Sequence, residues 1–150
     1  MEGLFRFSGF DRLGPDLARV GGKYSDEWHT AHMIDPRSIV PESVMPGYPF
    51  LAQRALDYDN IAEHMTALRI AGVPYSDEMI ASAKCDLETQ ADPNAKAIQE
   101  FVARYPKAQV RQFDGNPSFI SELDALIAYM QMLGTLVDFA TYDAAGPNLR

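Results

Sequence analysis

The chain has 150 residues, about one domain by the usual length prior, and 47% of them are hydrophobic, enough for a packed core. Its net charge of −8 and pI near 4.7 argue against a nucleic-acid-binding surface and against charge-driven attachment to anionic lipid. The single cysteine, Cys85, excludes an intramolecular disulfide without fixing the compartment, and no apolar run reaches the roughly 18 residues of a membrane span. The acidity reads as a solubility feature, or as a surface for a basic partner.

Residues 1–24 read as irregular, with glycines at 3, 9, 14, 21 and 22. The start "MEGLFRFSGFDRLG" has Glu2 where a signal peptide carries basic residues, and its apolar stretch is short. The expectation is a cytosolic chain, or one preceded by a leader. Ser25 is an N-cap candidate, with Asp26 and Glu27 in the first turn of a helix that carries Trp28 and stops before Pro36. Residues 35–56 form a proline-rich loop, long enough to suggest function.

A second helix is expected from about Asp59 to Ala71, with Ile61, Met65 and Leu68 on its apolar face and Gly72 as its stop. Ser76 caps a third, carrying Met79, Ile80, Ala83 and Leu87 inward. Asp92 and Pro93 open a fourth, which ends near Tyr105-Pro106. "AQVRQF" at 108–113 is a weak strand signal, and Asp114-Gly115-Asn116 marks a turn. The last helix spans 121–134, with Ser121 and Asp124 as a capping pair and Leu123, Leu126, Ile127, Met130 and Leu133 as its stripe. That stripe is expected to be the most buried element and to pack on Ile61, Met65 and Leu68.

Few residues suggest chemistry. His29 and His32, three apart, could face a metal together, but no further ligand follows at a useful spacing, so they read as partly exposed helix residues. His64 reads the same way. "VGG" at 20–22 lacks the residues of a phosphate loop, and Cys85 has no histidine companion. Met45 is set apart by its surroundings, "PESVMPGYPF", where prolines at 41, 46 and 49 freeze the backbone. Such a loop suits a thioether that must meet a soft metal or haem iron at a fixed distance. It equally suits a methionine filling a gap beneath the loop.

"GPDLARVGGKYSDEWH", "DPRSIVPESVMPGYPFL", "GVPYSDEMI", "YPKAQVRQFDGNP" and "ELDALIAYMQMLGTLVDF" run in order through residues 13–140. Together they resemble the C-terminal part of the mono-haem cytochrome c subunit (subunit II, FixO/CcoO type) of cbb3-type cytochrome c oxidases. The resemblance implies an all-α, class I cytochrome c-like domain of four or five helices after a long irregular Pro/Gly-rich N-terminal third. Residues 1–12 have no assignment, 13–140 form the cytochrome c-like part, and 141–150 are a C-terminal tail.

The resemblance also implies an electron-transfer subunit with haem c as cofactor. Met45 matches the axial methionine, and Pro15, in "GPDL", matches the proline whose carbonyl orients the axial histidine. Its partners are the catalytic subunit and the diheme cytochrome c subunit, on the periplasmic side of the inner membrane. The family attaches haem through Cys-x-x-Cys-His upstream of the GPDL-like stretch and carries a membrane anchor. Neither occurs in this sequence, so no covalently bound haem is expected, and the chain reads as a C-terminal piece. The alternatives are a haemless structural or interaction module of the oxidase, or an unrelated small helical binding protein.

Overall fold

A computed structural model describes residues 20–135, together with Leu17. The described residues include seven α-helices and a 3₁₀ turn joined by loops; the weak strand signal at 108–113 forms no strand. Helix α1 (Asp26–Ile34) begins where Ser25 Oγ accepts from the Trp28 N–H at 3.2 Å. Asp35 ends α1, and its side chain accepts from the Arg37 N–H to cap α2 (Pro36–Ile39), with Pro36 buried at the first helical position. The loop expected over 35–56 is therefore broken by α2 and by the 3₁₀ turn Pro49–Ala52.

Helix α3 (Ile61–Ile70) stops at Gly72, whose φ of +105° is left-handed. The third expected helix is two, α4 (Asp77–Ala81) and α5 (Ala83–Ala91), divided at Ser82. Asp92 does not start a helix. Its carboxylate accepts from the Asn94 N–H at 2.9 Å and closes a turn instead, and α6 (Ile98–Arg104) begins five residues beyond Pro93. Helix α7 (Glu122–Met132) follows the turn at Gly115 (φ +77°) and carries the expected capping box between Ser121 and Asp124.

Two helix groups result. Helix α7 packs against α1 and the 3₁₀ turn, over a core of Val20, Phe113, Leu123, Ile127 and Met130. Helices α3 to α6 form the second, held where Arg104 reaches the buried carboxylate of Asp86 on α5 and Glu78 on α4. The expected pairing of α7 with the α3 stripe is thus corrected. Met65 is buried, but α3 lies chiefly against α4 and α5, and Leu68 is 47% exposed. Helix α3 is covered by α4 and α5, and the Asp86–Arg104 pair joins α5 to α6.

Both ends of α7 hold neighbouring chain. Asp124 accepts from the Phe113, Asp114 and Ser121 N–H groups at 2.9–3.1 Å. Glu122 N–H donates to Arg54 O, and Leu56 N–H to Ile120 O, so the segment after the 3₁₀ turn is tied to the entry of α7. Leu123 and Ile127 are fully buried. Ile127→Ala should therefore cost about 2–5 kcal/mol. A denaturant midpoint equal to the parent's would show that α7 does not carry the core.

Candidate functional site

The glycine pair of "VGG" has a structural use. A Cβ on Gly21 would sit 2.5 Å from Leu133 O and 2.6 Å from Gln131 O, so only glycine allows this backbone to approach the end of α7. Gly22 has a φ of +72°. Its N–H donates to Gln131 Oε1 at 2.9 Å, while Gln131 Nε2 donates to Tyr24 O and to Asp26 Oδ1. Asp26 in turn pairs with Arg111. These contacts place the start of α1 on α7.

From there α1 presents an aromatic face. Tyr24 and Trp28 stack at 4.1 Å between centroids, and Trp28 and His32 at 4.6 Å, one helical turn at a time. His29 stands edge-on to Tyr24 and Trp28. It is 1% exposed, which corrects the reading of His29 as partly exposed; the aromatic rings and the packing of α1 on α7 bury it. His32 is half-buried, and His64 is exposed as expected. His29 Nε2, His32 Nδ1 and Thr30 Oγ1 are buried with no hydrogen-bond partner. Burial lowers the pKa of both histidines below 6.5; Asp26 opposes the shift at His29, and His32 adds slightly to it. Both imidazoles are therefore neutral near pH 7.

The Met45 loop is built onto the other end of α1. Tyr48 N–H donates to Met33 O at 2.6 Å. A Cβ on Gly47 would fall 2.5 Å from Ile34 O, so glycine is needed there for close approach. Ser43 O accepts from Arg37 Nε, and Ser43 Oγ from the Met45 N–H. Met45 is half-buried, between exposed neighbours Val44 and Pro46. Pro15 lies outside the described residues. Cys85 is exposed on α5. Among the described residues no group of three or more His, Cys, Asp or Glu side chains could hold a metal, and no helix is long and apolar enough to cross a membrane.

The described residues are all-α, with the Met45 loop fixed through its backbone to the end of α1. The family of the cytochrome c oxidase mono-heme subunit, FixO, matches residues 5–137, and the chain belongs to it. No curated protein matches the chain. Met45 is a soft sulfur donor of the kind that could hold a haem iron. A Cys-x-x-Cys-His attachment motif is not among these 150 residues, whose sole cysteine is Cys85.

Sequence reasoning missed Gln131 and Gly21. The signal for Gln131 was a polar residue within the apolar register of α7, four positions after Ile127. The buried histidines make a pH prediction. Their folded pKa values lie below the unfolded one, so the unfolded chain takes up more protons as pH falls through 6.5, and stability drops. Asp124, raised by burial, acts in the opposite sense, but in the carboxylate range at lower pH. The melting temperature should fall between about pH 7 and about pH 5. His29→Phe should flatten most of that slope; a slope left unchanged would assign it to His32.

Proposed function

We propose that the chain is the electron-transfer subunit of a cbb3-type oxidase, with Met45 as the residue that offers its sulfur to haem iron. The observation that carries this reading is the pinning of the Met45 loop to α1 through Tyr48 N–H to Met33 O and the close seat of Gly47. Membership of a mono-heme subunit family supports it. Haem c, when bound, supplies a one-electron carrier. The chain's own part is to hold the thioether still: Pro46 fixes φ, Ser43 takes up the Met45 N–H, and Arg37 holds Ser43. Pro15, by family likeness, orients the opposite ligand.

Partners and location follow the same reading. Ile34, Val40, Val44 and Phe50 flank the loop and are all at least 40% exposed. An apolar rim around a redox edge suits contact with another oxidase subunit, the diheme subunit or the catalytic one, on the periplasmic side of the membrane. A haemless structural module is the second reading, favoured by the absence of Cys-x-x-Cys-His from these residues.

Met45→Ala separates the two. In a version carrying Cys-x-x-Cys-His upstream, it should leave haem attached and lower the reduction potential, because thioether ligation favours the ferrous state. In the present chain it should change stability by no more than about 0.5 kcal/mol, as for a site outside the core. An unchanged potential together with a loss of about 2–5 kcal/mol in the short chain would identify Met45 as a gap filler instead.

A further inference from the structure

Helix α1 links two parts of the molecule. At its start, Tyr24 O and Asp26 are tied to Gln131 of α7, and Asp26 to Arg111. At its end, Met33 O accepts from the Tyr48 N–H, and Ile34 O meets the close seat of Gly47. The Met45 loop therefore stands on the last turn of α1. His29 and His32 lie between the two ends. His29 is enclosed by Tyr24, Trp28 and the packing of α1 on α7, and His32 is stacked on Trp28.

This enclosure suits only a neutral ring. An imidazolium carries a donor on each nitrogen, yet His29 Nε2 and His32 Nδ1 are buried without a partner. A proton on His29 therefore needs an anion or water beside it. The elements packed against α1 supply no free anion. The 3₁₀ turn Pro49–Ala52 has no ionisable residue, and α2 brings only Arg37. Glu122, Asp124 and Tyr129 of α7 do not act on His29; the charge that does is Asp26, with His32 in opposition. Asp26 is already committed to Arg111 and Gln131. His32 is governed by burial alone, so Glu27 and Asp35 give it no support. Proton uptake thus requires the enclosure to open. The first turn of α1 is held by the Gln131, Asp26 and Arg111 bonds. The last turn is held by the Tyr48 bond and by the packing of Met33 on the core, so it is the weaker end.

We propose that His29 and His32 form an acid-sensitive latch: their protonation frees the last turn of α1 and releases the Met45 loop, while α3 to α6 stay folded. That this release withdraws a ligand sulfur rests on the reading of Met45 given above; the release itself does not. The folded form excludes a proton that the open form accepts. For each ring, the open population should then rise about tenfold per pH unit below 6.5, down to the lowered pKa of the folded form.

Amide hydrogen exchange of the unaltered 150-residue chain tests the latch. After correction for the intrinsic pH dependence of exchange, protection of the Tyr48 N–H should fall at least about tenfold between pH 7 and pH 5. The Asp86 N–H, bonded to Ser82 O at the start of α5, should keep its protection. A flat profile at Tyr48 would overturn the proposal. So would equal losses at Tyr48 and Asp86, which would mean general destabilisation. His29→Phe and His32→Phe should each reduce the loss at Tyr48, and His64→Phe, at an exposed position on α3, should not. A reduction by His64→Phe equal to theirs would also refute the latch. The two amides of the unaltered chain decide the matter even where a variant fails to fold. Met45→Ala should leave the loss at Tyr48 in place. The latch and the ligand reading therefore fail separately, the first by exchange and the second by reduction potential.

Discussion

One buried amide orders much of this molecule. Gln131, 7% exposed near the end of α7, accepts from Gly22 and donates to Tyr24 O and Asp26. Each partner is a group that must be satisfied on burial, and an unsatisfied one costs about 1–3 kcal/mol. The three bonds set the height and rotation of the segment that enters α1. The contact requires Gly21, because any side chain there would meet the α7 carbonyls. With its start fixed by Gln131 and Asp26, α1 has one orientation. That orientation decides which imidazole is buried and where Met33 and Ile34 present the carbonyls on which the Met45 loop rests.

The local features of the fold were legible in the sequence. Ser25, Ser76 and Ser121 each cap a helix as their spacing implies, because a cap is a bond between a side chain and a backbone group two or three residues away. Gly72 and Gly115 sit at positive φ, where turn chemistry places them. What failed was non-local. Leu123, Ile127 and Met130 of the α7 stripe are buried and Leu126 and Leu133 partly so, but their partners are α1 and the 3₁₀ turn, and a periodic pattern says which face is apolar without naming the surface that covers it. Asp92-Pro93 carries the same signals as a helix start and as a tight turn, and only the later position of α6 decides between them.

The candidate site was legible to the same degree. Met45 stood out because three prolines surround it in the chain. His29 did not, since its burial comes from Tyr24 and Trp28 folding over it and from α7 beneath, none of which is visible as spacing. Natural chains rarely leave buried donors or acceptors unpaired, and they do so most where a function needs them. The orphaned atoms of α1 lie on the helix whose last residues, Met33 and Ile34, carry the loop that sequence reasoning singled out.

The stiffness of that loop has a physical logic. A methionine held in one rotamer loses about 1.5–2 kcal/mol of side-chain entropy, and the backbone beneath it loses about 1–2 kcal/mol per residue. Prolines at 41, 46 and 49 lower the backbone part of that cost in advance by restricting the unfolded chain. Tyr48, Gly47, Arg37 and Ser43 then fix the position that the prolines leave open. The side chain itself remains half-buried, so the ordering is concentrated in the backbone that positions the sulfur. A ligand gains a fixed distance and direction, which an electron carrier needs in both oxidation states.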